Sequence, residues 1–163
     1  MAAPPLQPTP WLRDLTRHST VQMLQSHQRA FGRALIAADQ AGQPERLLCQ
    51  ELFHCGFPVL AHGRGEDPLL TYANAAALQL WGASWTELVG LPSRLTAPDS
   101  ERRERQRALG QAQNHAAVCG YGGIRISRQG HRFMIRNARI WNLWDDQDQV
   151  CGQAACFSDW WWI

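Results

Sequence analysis

The fold is decided by residues Leu69–Gly90, which read LLTYANAAALQLWGASWTELVG. The stretch opens with Leu69–Ala73, whose composition is typical of a short strand. Asn74 follows as a good N-cap for a helix over Ala75–Trp81. Gly82 stands directly after that helix, where a glycine commonly ends a helix in the left-handed conformation. The pattern predicts a strand that leads straight into a short capped helix.

A second short helix is predicted immediately afterwards. Ser84 and Glu87 have the spacing of a capping box, and Gly90 is the matching stop signal. A strand, an Asn cap, two short helices and a Glu-Leu-Val-Gly exit resemble the first half of a PAS domain, which is a sensory and interaction module. The resemblance implies a fold and a class of role, and it names no signal.

Composition limits the possible functions. The chain has 163 residues, which is enough for one domain with a single sizeable core. Its formal net charge of +2 is too small to indicate direct binding to nucleic acid or to an anionic membrane. All 16 basic residues are Arg, so a Schiff-base lysine and the lysine of a phosphate-binding loop are excluded.

Cysteine usage and the N-terminus indicate a cytoplasmic protein. Five cysteines, an odd number without a CxxC pair, point to reduced thiols. The N-terminus MAAPPLQPTP lacks the basic and apolar regions of a signal peptide, and its prolines favour a flexible tail over residues 1–18. No apolar run approaches the length of a membrane span, so we expect no membrane partner.

Two helices are predicted within residues 19–56. Ser19 and Gln22 have the spacing of a capping box, which predicts a helix that runs from there to about Ile36. Pro44 suits the first turn of a second helix over Glu45–Cys55. The first helix has an apolar stripe that we expect to pack on the outer face of a sheet or on a second copy of the chain.

Residues 57–160 have the pattern of a sheet with inserted helices. After a loop over Leu91–Pro98, a longer helix is predicted from Asp99 to about Val118. Alternation in the fourth predicted strand breaks near Asn137–Ile140, where a bulge could switch the faces. The order favours an α+β fold, with helices packed on one side of a five-stranded antiparallel sheet. The predicted strands are Phe57–Ala61, Leu69–Ala73, Gly122–Ser127, Arg132–Trp144 and Val150–Trp160.

Four further segments narrow the resemblance. They are LPSRLTAPDSERRER (Leu91–Arg105), YGGIRIS (Tyr121–Ser127), RFMIRNARIWNLWD (Arg132–Asp145) and CGQAACFSDW (Cys151–Trp160). Together they resemble the MEKHLA domain, a PAS-like family that includes small stand-alone bacterial proteins. The resemblance covers roughly Ser19–Trp160 and implies a regulatory or sensory role without established catalysis. The namesake hexapeptide is absent because the chain has no lysine, Asp148 stands at a turn where Gly is expected, and residues 161–163 add a Trp-rich terminus.

A PAS-like fold implies a pocket between the helices and the sheet. We expect Trp81 and Trp141 to face each other across it, either filling it or leaving a slot for an apolar or aromatic ligand. His115, late in the long helix, is the residue that could hold a haem iron. The candidate pocket residues are Asn74, Trp81, His115, Arg125, Trp141 and Cys156.

Other chemistry finds less support. The loop Leu91–Asp99 lacks the cysteine that a photoactive flavin domain needs, and Cys49, His54 and Cys55 lack a fourth metal ligand. The Arg-rich start of the long helix, with Glu101 and Glu104 interleaved, is typical of a solvated face. No nucleophile elbow, HExxH helix or phosphate loop is present. At least one ring of Trp160–Trp162 must be exposed, which favours an interface.

The sequence therefore predicts a non-catalytic, PAS-like sensory or regulatory domain that binds a small ligand or a protein partner. We expect a homodimer or a regulatory partner, with the N-terminal helix as the contact. The alternative is a haem- or flavin-bound sensor of redox state, gas or light. A small enzyme acting through Cys or His is a third possibility, for which the sequence names no substrate.

Overall fold

A six-stranded antiparallel sheet forms the centre of the structure, a computed structural model that describes residues 8–163. The strands are β1 (Val59–His62), β2 (Leu70–Ala73), β3 (Ala117–Ile126), β4 (Arg132–Trp144), β5 (Val150–Cys156) and β6 (Asp159–Trp162). Five of them lie in the order β2-β1-β5-β4-β3, and β6 pairs with the first part of β4. The sheet is the predicted one with one more strand, because the predicted strand Val150–Trp160 breaks at residues 157–158.

Helices cover both faces of the sheet. They are α1 (Asp14–Phe31), α2 (Glu45–His54), α3 (Ala75–Trp81), α4 (Trp85–Leu88) and α5 (Arg102–His115), with 3₁₀ turns at Pro10–Leu12, Ser93–Thr96 and Asp99–Glu101. The inner face carries α3, α4 and α5, and the outer face carries α1 and α2. No helix among residues 8–163 is both long enough and apolar enough to span a membrane.

A bulge in β4 determines which side chains lie on each face. Between Ile135 and Ala138, β4 has one residue more than the paired stretch of β3, and Asn137 there has a φ of 54°. The extra residue shifts the two-residue alternation of side chains. Ile135 and Ile140 therefore both face inward, and Trp141 faces outward.

Helix α1 packs on the outer face of the chain's own sheet. Met23 and Leu24 are buried there against Trp141, whose indole Nε1 donates to the Met23 carbonyl at 3.2 Å. The Trp141 ring also meets His27 edge-on, with the ring centroids 4.9 Å apart. The apolar stripe of α1 was expected to pack either on the outer face of the sheet or on a second copy of the chain, and in the structure it packs on the sheet. The stripe is not free to bind a second copy.

The N-terminal boundaries differ from those predicted. Helix α1 begins at Asp14, and the Ser19 hydroxyl donates to the Leu15 carbonyl, so Ser19 caps nothing. Trp11 stacks on Phe53 with centroids 3.6 Å apart, so residues 10–18 belong to the folded unit. Residues 1–7 of the predicted flexible tail lie outside the described residues.

The predicted bounds of α5 are also wrong at both ends. A 3₁₀ turn over Asp99–Glu101 precedes the helix, and Ala116, with a φ of 70°, ends it. Val118, predicted to close this helix, lies in β3 instead. Its apolar character fits either element, which is why helical periodicity alone misplaces the boundary.

The Trp-rich terminus is a strand of the sheet and not a separate tail. Residues of β6 pair with residues of β4, and the Trp160 and Trp162 rings both meet Phe133, with centroids 6.1 and 5.5 Å apart. Trp161 points to the other face, where the Arg136 guanidinium lies 5.9 Å from its ring. Trp161 and Trp162 remain 41% and 51% exposed, as the run of three rings predicts.

Asn74 links three elements through hydrogen bonds of one buried side chain. Its Oδ1 accepts from the backbone N–H of Val59 at 2.9 Å and of Ala77 at 3.1 Å. Its Nδ2 donates to the carbonyls of Phe57 at 2.9 Å and Leu52 at 3.2 Å. The predicted cap of α3 is confirmed, and the same amide also fixes the end of α2 and the start of β1.

Replacing Asn74 with Ala should therefore cost more than the loss of an ordinary helix cap. Asn74→Ala leaves several buried backbone groups without partners, so we expect a loss of about 3 kcal/mol in the free energy of unfolding. Ser84, whose hydroxyl accepts from the Glu87 N–H on an exposed helix, is the matched control. Ser84→Ala should cost about 1 kcal/mol. Urea unfolding measures both, and equal losses would contradict the linking role of Asn74.

His27 is a fully buried imidazole on the outer face. Its Nδ1 lies 3.0 Å from the Arg33 carbonyl and so donates to it, and Nε2 is buried without a partner in the part of the chain that the structure describes. Burial lowers the pKa of His27 from 6.5 to about 4, and the cations of Arg139 and Arg33 act in the same direction. The folded state therefore holds a neutral imidazole at pH 6.

This lowered pKa predicts a loss of stability on acidification. Between pH 6.5 and pH 4 the unfolded chain binds a proton at His27 that the folded chain does not, so stability falls as the pH falls. The loss should reach about 3 kcal/mol, which is the free energy of the pKa difference. Urea unfolding at pH 7 and pH 4.5 should show a smaller loss in His27→Asn than in the wild type. The exposed His18→Asn is the control, and an equal loss in all three proteins would contradict the prediction.

Candidate ligand site

A small cavity lies between α3, α5 and the inner face of the sheet. Its volume is ≈ 50 Å³. One ordered water needs about 10–15 Å³ of such space, so the cavity holds a few waters or a molecule of similar size. Most of its wall is apolar, and the largest side chains there are Leu60, Leu70, Trp81, Ile135, Ile140 and Phe157.

Arg125 brings a buried cation to this wall. It lies in β3 and is only 6% exposed. Its Nη2 donates to the Tyr121 hydroxyl at 3.0 Å, and its Nη1 donates to the Ile124 carbonyl at 2.9 Å. The guanidinium also lies 5.3 Å from the centre of the Tyr121 ring. Tyr121 thus holds the cation in place without neutralising it.

A second cation comes from the facing helix. Arg105 in α5 lines the same cavity and donates from Nη2 to the Ser93 hydroxyl. Burial, together with the nearby charge of Arg125, lowers the pKa of Arg105 to about 10. A pKa near 10 still leaves the guanidinium charged at neutral pH. The cavity therefore holds two like charges beside mainly apolar side chains.

His62 adds a neutral imidazole where β1 ends. Its Nδ1 lies 2.9 Å from the Gly63 carbonyl, and a carbonyl can only accept, so Nδ1 carries the proton. Its Nε2 is buried and has no partner among the described residues. Burial lowers the pKa of His62, and the charge of Arg105 adds to this effect. The imidazole therefore presents an unused acceptor.

A larger cleft adjoins the cavity from the outside. It has a volume of ≈ 700 Å³ and lies between α5 and the β1–β2 loop, residues 63–68. Four side chains line both spaces, namely His62, Arg105, Leu109 and Gln153. They form the wall between them. Gln153 is held in this wall because its Nε2 donates to the Leu109 carbonyl at 2.9 Å.

A family model described as the MEKHLA domain matches residues 17–162, nearly the whole chain. The chain belongs to the MEKHLA domain family. A search of curated proteins finds no match to this MEKHLA protein.

Solved structures show the fold of the MEKHLA domain. The PAS domain of a protein from Colwellia psychrerythraea is 13% identical, with a TM-score of 0.62, and the alignment covers 70% of this chain and 94% of that one. An RNA-binding light-oxygen-voltage (LOV) receptor is 17% identical with a TM-score of 0.64, over 78% of this chain and 36% of that one. The chain thus spans about a third of that receptor.

A third similar structure is a LOV domain studied with a flavin analogue. It is 16% identical with a TM-score of 0.54, and the alignment covers 72% of this chain and 84% of that one. The three structures confirm the PAS-like fold that the sequence of this chain predicts.

The structure brings together only two of the six predicted pocket residues. Trp81 and Arg125 line the cavity of the MEKHLA domain. Asn74 is buried but does not line the cavity, and it serves as the backbone link described above. Cys156 lies on the outer face, in the same buried cluster as Trp141.

The expected slot between Trp81, His115 and Trp141 is corrected in two places. Trp141 faces outward because the bulge at Asn137, which precedes Trp141 in β4, reverses the alternation of side chains between the two faces. His115 is exposed at the last position of α5, directly before Ala116, which ends the helix. Trp81 therefore meets Phe133 and Phe157 instead, with ring centroids 5.1 and 6.1 Å apart.

The cavity does not fit haem or flavin. Its ≈ 50 Å³ is far below the about 300–1,000 Å³ of typical cofactor pockets. None of the cysteines lines it, so the thiol of a flavin adduct is not supplied. His115, the predicted iron ligand, lies on the surface. Within residues 8–163, no group of three or more His, Cys, Asp or Glu side chains is placed to hold a metal ion.

Arg105 and His62 line the cavity, and the sequence prediction missed both. The start of α5 was expected to be a solvated face, and Arg107 does pair with Glu104 there at 3.0 Å. Arg105, however, precedes the buried Ala108 by three residues and Ala112 by seven. This spacing places it on the buried stripe of the helix, a signal that the surrounding arginines obscured. No comparable sequence signal marks His62.

Proposed function

We propose that this MEKHLA protein is a non-catalytic, PAS-like sensory or regulatory domain that binds a small ligand in the cavity between α5 and the inner face of the sheet. The observation that carries the proposal is the unused polar capacity of a largely apolar cavity. His62 Nε2 has no partner, and Arg125 is buried with three of its five N–H groups unbonded among the described residues.

Polar groups that lack hydrogen-bond partners in the cavity favour the binding of a polar ligand. A buried donor or acceptor that is left unsatisfied costs about 1–3 kcal/mol, which a ligand that completes the hydrogen bonds restores. An entirely structural cavity would be expected to be lined by paired or apolar groups only. The PAS and LOV fold supports the same role, because one similar structure is described as a receptor and another was studied with a flavin analogue.

The position of the cavity suggests how binding would reach the surface. Arg105 and Leu109 of α5 line both the cavity and the outer cleft. A ligand that binds better to one position of α5 shifts the population toward that position. The outer cleft and the exposed face of α5 would then report occupancy to a regulatory partner or to a second copy of the chain.

The non-catalytic part of the proposal rests on the state of the thiols. Burial raises the pKa of Cys49, Cys55, Cys151 and Cys156, so these side chains are thiols and not the reactive thiolates. The unpaired state of all five cysteines is in keeping with the cytoplasmic location that we propose. The haem or flavin alternative gains no support from the small cavity.

Filling the cavity should abolish ligand binding without unfolding the protein. Ala155 lines the cavity from β5, and Ala155→Leu adds enough volume to occupy much of it. A library of small metabolites, screened by thermal unfolding of the full chain, should contain a compound that raises the Tm of the wild type. At 100 times its Kd, such a compound adds about 2.7 kcal/mol, or about 5–10 °C.

The same compound should leave the Tm of Ala155→Leu unchanged. Ala41→Leu, at an exposed loop position, is the matched control and should respond like the wild type. Circular dichroism verifies that each variant is folded before the screen. The proposal fails if no compound shifts the wild type, or if one compound shifts the wild type and Ala155→Leu equally.

A further inference from the structure

We propose that the ligand of this cavity is a small carboxylate whose oxygens bind between Arg105 and Arg125. The inference rests on the proposed function and adds the chemical class of the ligand. It follows from the charge of the cavity, the free donors of its two guanidinium groups, and its size.

The charge of the cavity is unbalanced. Arg105 and Arg125 both line it, and no Asp or Glu does. Neither arginine takes part in any of the ion pairs found within residues 8–163. Two cations that share a space of low dielectric repel each other strongly. An anion between them removes this repulsion, and a neutral ligand leaves it in place.

The donors of the two arginines are largely free. Arg105 makes one hydrogen bond, to Ser93, and Arg125 makes two, to Tyr121 and Ile124. Each guanidinium has five N–H groups in a planar fork that matches the two oxygens of a carboxylate. The bonds to Ser93 and Tyr121 hold the forks in place, so less side-chain freedom is lost when the ligand binds.

The size and walls of the cavity favour a carboxylate over a phosphate. A volume of ≈ 50 Å³ suits a molecule of only a few non-hydrogen atoms. A phosphate would need donors around all of its oxygens, whereas most of the cavity wall is formed by apolar side chains such as Leu60, Leu70 and Ile135. A short alkyl chain fits these side chains. A hydroxyl beside the carboxylate, as in a 2-hydroxy acid, would also give His62 Nε2 a donor.

The outer cleft provides the route for such an anion. Arg105 lies in the wall between the cleft and the cavity. Arg94 and Arg102 also line the cleft, and each is already paired, with Asp67 and Asp99 respectively. A carboxylate that enters the cleft therefore meets Arg105, which has no carboxylate partner among residues 8–163, at the wall of the cavity that Arg125 also lines.

The experiment compares acids with their neutral amides on the full chain. Calorimetric titration and thermal unfolding use acetate, propionate, glycolate and lactate, with propionamide and lactamide as neutral isosteres and inorganic phosphate as the alternative anion. We expect at least one carboxylate to bind, with its amide weaker by about tenfold or more. Phosphate should bind more weakly than that carboxylate.

Variants locate the interaction. Arg105→Gln and Arg125→Gln should each weaken carboxylate binding by about tenfold or more, because each removes a charged fork. Arg103→Gln, an exposed residue of the same helix, is the matched control and should bind like the wild type. If Arg125→Gln fails to fold, Arg105→Gln alone carries the test, since its side chain is only partly buried.

Four results would overturn the proposal. The first two concern the ligands: the amides bind as tightly as the acids, or phosphate binds more tightly than every carboxylate. The other two are that the arginine variants bind the carboxylate like the wild type, or that no member of the panel binds. A neutral compound that binds the wild type but not Ala155→Leu would overturn the proposal of a carboxylate ligand and leave the proposed function intact. Failure of both the panel and the metabolite library would overturn both.

Discussion

The bulge in β4 is the constraint on which the rest of the structure depends. One additional residue at Asn137 changes the alternation of side chains half-way along the longest strand. The first half of β4 then directs Phe133 and Ile135 inward, and the second half directs Ile140 inward and Trp141 outward. A regular strand would instead bring the Trp141 indole to the inner face, where its volume would fill the cavity.

Two consequences follow from this arrangement. The outer face carries a large aromatic surface, so α1 must cover it, and the buried contacts of Met23 and His27 with Trp141 provide that cover. The inner face keeps a small space that receives Arg105 and Arg125 in place of a second large ring. The buried cluster around Trp141 and the cavity with its two arginines thus lie on opposite faces of one sheet. The N-terminal helix is consequently part of the core, and its removal would expose Trp141.

Local features of the sequence predicted the fold well because they depend on neighbouring residues. The Asn74 cap, the Ser84 cap and the bounds of α3 and β4 are all found where the pattern places them. The face that each residue of β4 occupies could not be obtained in this way. A break in alternation near Asn137 was visible in the sequence, but its direction depends on the pairing with β3, which is a long-range property.

The candidate site was harder to predict for the same reason. Trp81 and Arg125 follow from the strand and helix patterns, whereas His62 and Arg105 join them only through the packing of α5 on the sheet, chiefly on β3 and β4. A partly buried Arg among other arginines has no distinct composition, and only its spacing from the buried Ala108 and Ala112 marks it. Buried charge without a partner is a property of the folded chain, and it is the property from which the proposed ligand follows.

The most direct test of the two-faced sheet is the set of proton–proton nuclear Overhauser effects from the indole ring of Trp141. The bulge predicts cross-peaks to His27 and Phe31, whose ring centroids lie 4.9 and 6.1 Å from that of Trp141. Cross-peaks from Trp141 to Trp81, with none to α1, would place the indole in the cavity and contradict the account.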